Sequence, residues 1–286
     1  MIAAAFEISQ PEYLSSCVVF ASPHSGRDYP WSMMRRSVLD NHVIRSSEDA
    51  FVDNLFESAT EFGSPFLRAG APRAFVDLNR SPDELDPALI SGVRRQGHNP
   101  RVSSGLGVIP RVVANGRAIY NGKISLSEAR ERLDEYWYPY HATLQELLDT
   151  AHRRFGQAVL IDCHSMPREA VAGIARTSSC RPEVVLGDRF GAAASGDVVD
   201  RVEAAFISAG FAVARNAPFA GAYIAQAYGR PSRAQHAVQI EIDRSLYMNE
   251  QTITPNGDYE AVRAALRGVI AEVAQIGQGR LPLAAE

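Results

Sequence analysis

Four short polar clusters in this chain combine residue types that hold ions and move protons. Pro23-His24-Ser25-Gly26 follows the apolar run Cys17 to Ser22, and Asp162-Cys163-His164-Ser165 follows Val159-Leu160-Ile161. Each sets an imidazole where a buried strand is expected to end. In open α/β sheets ligands bind outside the carboxyl ends of strands. Two converging imidazoles need one further protein ligand to make a catalytic zinc site with an open position. Glu48 and Asp49 are the candidates, and the residues themselves leave the choice between them open. Acidic residues also favour the first turn of any helix, so neither is diagnostic alone. Asp162 shares a strand face with His164 and suits a partner that fixes the ring's tautomer.

The fourth cluster is Gln239-Ile240-Glu241-Ile242-Asp243-Arg244. Alternation puts Gln239, Glu241 and Asp243 on one face of a strand and Val238 and Ile240 on the other. A carboxylate inside an apolar strand is rarely buried unless paired. Glu241 is therefore either an ion-pair partner of an arginine such as Arg244 or a general base facing a cleft. Asp77-Leu78-Asn79-Arg80 offers a planar guanidinium and a neutral donor, which suit a small carboxylate. Cys163 beside His164 admits a thiol nucleophile, although a buried structural cysteine is the commoner case. No G-x-S-x-G elbow, P-loop or complete G-x-G-x-x-G is present.

The elements that must position these residues follow from periodicity. Strands are expected at Cys17–Ser22, Pro65–Ala69, Ala74–Leu78, Ala158–Asp162, Phe211–Ala214 and Ala237–Ile242, each a short apolar run with punctuation. Helical spacing runs over Glu48–Phe62, Asp197–Ala209 and Tyr259–Ile276. Ser125 and Glu128 fit a capping box ahead of a helix that Pro139 should kink. Residues 81–117 are rich in Pro, Gly, Arg and Asn with little periodicity. A stretch of that kind reads as a long loop insertion able to fold over a site, with Arg94, Arg95, Arg101 and Arg111 as anion contacts.

Composition narrows the classes. The chain has 286 residues, 29 basic and 33 acidic, so 29 − 33 = −4. That balance argues against a nucleic-acid partner. Three cysteines (Cys17, Cys163, Cys180) are too few and scattered for a disulfide framework and point to reducing cytoplasm. No apolar run approaches ~18 residues, so no membrane span is expected. One domain over 1–286 is expected, of α/β class.

Taken together the segments resemble the N-formylglutamate amidohydrolase family. The matching pieces are Ser22-Pro-His-Ser-Gly26, Glu48-Asp49, Val76-Asp-Leu-Asn-Arg80, Gly105-Leu-Gly-Val-Ile-Pro-Arg111, Tyr136-Trp-Tyr-Pro-Tyr-His141, Leu160-Ile-Asp-Cys-His-Ser165 and His236-Ala-Val-Gln-Ile-Glu241. They occur in the family's order and cover about residues 17–248. The resemblance implies a three-layer αβα sandwich with a mixed central sheet, distantly similar to zinc carboxypeptidases and aspartoacylase. It implies Zn2+, or another divalent metal, on His24, His164 and Asp49, with Glu48 as the alternative ligand. Glu241 would be the general base, and Asn79 and Arg80 would hold a substrate carboxylate. His236, His141, Asp162 and Arg244 are secondary candidates. The implied partner is a small acidic N-acyl amino acid, cleaved by a monomer or small homo-oligomer. The alternatives are a non-catalytic small-anion-binding protein on this fold, or deacylase or carboxypeptidase-like activity on another N-acyl amino acid.

Overall fold

The computed structural model describes residues 4–94, 97, 99–172 and 181–278. Arg95 and Cys180 lie outside the described residues. The strands are β1 (Phe6–Ser9), β2 (Val18–Ser22), β3 (Phe66–Ala69), β4 (Ile90–Ser91), β5 (Ile124–Ser125), β6 (Ala158–Met166), β7 (Val184–Gly187), β8 (Val213–Arg215), β9 (Gln235–Asp243), β10 (Met248–Asn249) and β11 (Thr254–Pro255). The α-helices are α1 (Trp31–Met34), α2 (Val52–Leu55), α3 (Pro100–Ser103), α4 (Leu126–Arg132), α5 (Tyr138–Phe155), α6 (Gly196–Ser208), α7 (Tyr223–Tyr228) and α8 (Tyr259–Val273). Among the described residues the largest sheet has seven strands in the order β1-β3-β2-β6-β9-β7-β8. The chain divides into two compact units. One is Met1–Glu7, Pro23–Phe51 and Arg68–Thr143; the other is Ile8–Ser22, Val52–Leu67 and Leu144–Glu286.

The second unit is built on the sheet. Strands β2, β6 and β9 are parallel neighbours, and β7 runs antiparallel to β9 and parallel to β8. The mixed α/β architecture is thus as expected. Every residue of β2, β6 and β9 is buried, as continuous apolar runs in a doubly covered sheet require. Helices cover both faces of β9. The backbone N–H of Ala222, ahead of α7, donates to Gln239 on one face, and that of Ser195, ahead of α6, reaches His236 on the other. Helix α6 packs on α8; Val199, Val202 and Phe206 on the one and Leu266, Val269 and Ile270 on the other are buried.

In the first unit a bent helical stretch pins a loop. Ser125 caps α4 by accepting the N–H of Glu128 at 3.1 Å. The reciprocal half of the box does not form, because the Glu128 carboxylate is taken by Arg36 and Arg132. Where Pro139 was expected to kink the helix, a π-helical turn over Leu133–Trp137 precedes it. A proline at 139 has no N–H to give and crowds the carbonyl four residues back, and a wider turn absorbs both. Three side chains from this stretch grip main-chain oxygens of one loop. Arg132 donates to Phe75 O, Trp137 to Arg80 O and His141 to Leu78 O, at 3.1, 3.0 and 2.9 Å.

Two expected elements are corrected. Ala74–Leu78 is not a strand. The N–H groups of Phe75 and Val76 turn back onto Pro72 O, and that of Asp77 bonds Val108 O, so the run forms turns. Nor is Glu48–Phe62 one helix. The N–H of Asp49 is held by His24 O, and Phe51 sits at φ 67°, which breaks helical geometry. Helix α2 begins only at Val52, and a 3-10 turn over Glu57–Phe62 follows. Among the described residues of 81–117 the structure is mostly irregular, with β4, α3 and a 3-10 turn over Ala114–Gly116 as its short regular pieces.

Candidate metal centre and its surroundings

Strands β6 and β9 supply one half of the candidate residues through register alone. Asp162 pairs with Gln239 and His164 with Glu241 in the parallel ladder. Side chains alternate along a strand and match across the ladder, so all four project from the same face. His164 Nε2 lies 3.0 Å from Asp162 Oδ2, with both residues buried. An ionised carboxylate there accepts the Nε2 proton and leaves the ring's lone pair on Nδ1. Glu241 accepts a 2.9 Å hydrogen bond from Gln239 on Oε1. Arg244 donates its Nε to Ser165 Oγ at 3.1 Å.

Loops supply the other half. His24 stands two residues beyond β2, in a loop whose Gly26 admits no side chain. A Cβ there would lie 2.1 Å from Ala71 O. His24 Nε2 donates to Asp77 Oδ1 at 2.7 Å, and its Nδ1 is 3.5 Å from Asp49 Oδ2. Asp77 also accepts from the Asn79 N–H on Oδ1, closing a local turn, and from Arg73 on Oδ2, both at 2.9 Å. Burial pushes the Asp77 carboxyl up, but Arg73, His24 and Arg80 more than offset it and hold it well below the usual carboxylate range. Arg80 is buried, with Nε on Leu106 O at 3.1 Å and Nη1 on Asn79 O at 2.9 Å. Burial lowers the Arg80 guanidinium; Asp77 opposes that, and nearby Arg73 and Arg101 add to it. A buried cation in such company gains from an anion. Arg73 and Asp77 also line a cavity of about 440 Å3 walled by Leu106, Pro110 and Val112.

In the first unit His24 Nδ1 and Asp49 Oδ2 offer one nitrogen and one carboxylate oxygen side by side, and in the second unit His164 offers a further imidazole. Two nitrogens and one carboxylate oxygen form a set that suits a divalent ion of borderline character with room for another ligand. Each ring has an aspartate against its Nε2, an arrangement that fixes the tautomer and raises ligand basicity. The donor set therefore fits a catalytic divalent metal. Glu48 does not join it. Its carboxylate is held by Arg45 at 3.0 Å and by the Tyr29 hydroxyl at 2.7 Å. Burial, then the Glu48 charge, raises the Tyr29 hydroxyl far above its usual value, so it stays a donor.

The remaining candidates fall elsewhere. His236 is on the opposite face of β9 from Glu241, where its Nδ1 accepts the N–H of Ser195 at 3.2 Å. His141 is stacked 3.9 Å from Trp137, and burial lowers its imidazole to about 4, so it is neutral. Cys163 alternates away from His164 and is fully buried. Burial, then Asp162, raises its thiol well above the usual range, in keeping with the buried structural cysteine expected as the commoner case. Arg111 binds Asp86 at 2.8 Å. Sequence reasoning did not single out Asp77 as the partner of His24, nor Arg73 as the partner of Asp77. An arginine four residues before the carboxylate of a D-x-N-R segment was the available signal.

Comparison with known proteins shows which proteins the chain is similar to. A family model described as N-formylglutamate amidohydrolase matches residues 16–248. An N-formylglutamate deformylase of Pseudomonas aeruginosa is 33% identical over 237 residues, 81% of this chain and 83% of that protein. One from Pseudomonas putida is 28% identical, covering 82% of each. The crystal structure of an N-formylglutamate amidohydrolase from Ralstonia eutropha superposes with a TM-score of 0.89 at 33% identity, over 96% of this chain and 99% of that one. Among the described residues no helix is long and apolar enough to cross a membrane.

Proposed function

Because the chain belongs to the N-formylglutamate amidohydrolase family, we propose that it hydrolyses the amide bond of a small N-acyl amino acid, with N-formylglutamate the leading substrate and formate and glutamate the products. The observation that carries this reading is Glu241 in register opposite His164, with His24 beside Asp49 in the other unit. His24, Asp49 and His164 would hold Zn2+ or a similar divalent ion. When bound, such an ion supplies Lewis acidity to the scissile carbonyl and to water.

Glu241 acts as the general base. It takes a proton from the attacking water as the oxygen bonds to the acyl carbon. The carbon–nitrogen bond then breaks, and the same carboxyl returns the proton to the leaving amine. Arg80 and Asn79 bind a substrate carboxylate, which the buried guanidinium would otherwise lack. Asp77 and Asp162 orient the two imidazoles.

The test is a panel of N-formyl, N-acetyl and N-succinyl amino acids with zinc present, run on the wild type and on Glu241→Gln. Turnover of an N-formyl dicarboxylic amino acid is expected, with kcat falling ~10²-fold or more in the variant while metal content holds. A metal-free protein with no turnover of any member would favour a binding protein on this fold. Full activity in Glu241→Gln would remove the assigned base.

A further inference from the structure

Glu241 is held by an amide. Gln239 Nε2 donates to Glu241 Oε1 at 2.9 Å, and Gln239 Oε1 accepts the backbone N–H of Ala222 at 3.0 Å. Both side chains are buried. A main-chain N–H can only donate, so it fixes the Gln239 oxygen toward Ala222 and the NH2 toward Glu241. The two residues are i and i+2 on one strand, so the bond runs along the face that carries His164. The anchor itself is built by backbone geometry. Gly221, at φ +103°, turns the chain into α7, and a Cβ there would lie 2.9 Å from Ala225 Cβ.

We infer that Gln239 is a positioning residue for the proton-transferring carboxylate, relaying the fixed backbone of Ala222 onto the carboxylate plane of Glu241. This rests on the reading of Glu241 as the base. A donor amide whose far end is fixed by the main chain sets the orientation of the carboxylate. The inference also explains a glutamine inside a buried strand. Its two hydrogen-bonding ends are both satisfied, as a buried amide requires.

Two measurements test it. The first is a double-mutant cycle on N-formylglutamate turnover with zinc present. Gln239→Met keeps the length and removes the amide. It is expected to lower kcat about 10-fold, the scale of one hydrogen bond to a charged group, with KM, metal stoichiometry and Tm near wild type. In a Glu241→Gln background the same change should add less than about 2-fold, because the residue it positions is gone. Equal losses in both backgrounds, or wild-type kcat in Gln239→Met, would overturn the inference and leave Glu241 as the base. Full activity in Glu241→Gln alone would overturn the base and the inference with it. Should Gln239→Met fold poorly, Gly221→Ala disturbs the anchor with Gln239 intact and should show the same background-dependent loss. The second measurement needs no activity. In the metal-free protein the Gln239 side-chain NH2 resonances should exchange slowly with solvent and move in Glu241→Gln. Exchange at the rate of a surface glutamine would overturn the inference.

Discussion

The candidate residues of the two units are held in place by different physics. Asp162, His164, Gln239 and Glu241 sit on neighbouring parallel strands, and the ladder sets their order. His24, Asp49, Asp77, Asn79 and Arg80 sit in turns, and polar side chains hold them. The strand half would keep its spacing if any single side chain were trimmed, because its backbone bonds are independent of side-chain identity. The loop half would not. Asp77 alone collects a histidine, a main-chain N–H and an arginine. The lesson is that a catalytic residue on a strand inherits its geometry, whereas one on a loop depends on a second set of residues that do no chemistry.

That contrast can be broken or sharpened by experiment. The largest effect is expected for His164→Ala, which removes a ligand while the strands around it stand. Stoichiometric divalent metal should be lost at unchanged Tm, as read by elemental analysis and calorimetry. A collapse of Tm would show that the strand half is no sturdier than the loops.

Next in size is the pH dependence carried by His141, whose ring supports the loop at Leu78. Burial lowers its value to about 4 from 6.5. The unfolded chain therefore binds the extra proton first as pH falls. Stability is fully present above about 6.5 and is lost as pH drops toward about 4, by up to about 3 kcal/mol. Tm measured across that window should fall less steeply in His141→Gln than in the wild type. Parallel slopes would remove His141 from the account.

Asp77→Asn tests the loop half directly. It should weaken divalent-metal affinity 10–100-fold, the usual consequence of losing such a partner, with the metal still binding at saturation. A competition titration with a chelator reads this. An affinity equal to wild type would mean that His24 is oriented by something other than Asp77. The smallest effect is expected at Ala234, which enters β9 at φ 52°. Ala234→Gly should raise stability by about 0.5–1 kcal/mol, because glycine adopts that conformation without strain. Metal affinity and kcat should not change. A loss of Tm would show that the methyl group packs usefully.

The same contrast explains what could be read from the residues alone. The apolar runs around Val159 and Val238 announced buried strands, and alternation placed Asp162 with His164 and Gln239 with Glu241 before any register was known. The register that sets His164 opposite Glu241 is a long-range pairing, and no local signal carries it. In the loop half, Phe75-Val76 has the composition of a strand, but three N–H groups find partners in Pro72 and Val108 instead. The helical spacing from Glu48 onward was real from Val52. It failed at Phe51, where tertiary contacts impose a left-handed residue that propensity disfavours. Glu48 and Asp49 differ in their partners, since Arg45 and Tyr29 engage Glu48. Periodicity is blind to such partners.

The π-helical turn at Leu133–Trp137 has a consequence for how this chain can change by insertion and deletion. The wider turn carries one residue more than a regular helix would use between Arg132 and the residues Trp137 and His141. Losing one codon there would yield a more ordinary helix. It would also rotate everything before it by about 100° relative to everything after. Arg132 could then no longer reach Phe75 while Trp137 and His141 hold Arg80 and Leu78. The irregular turn is thus a reading frame for three grips on one loop, and a deletion scan should find the short stretch 133–137 far less forgiving than its exposed residues suggest.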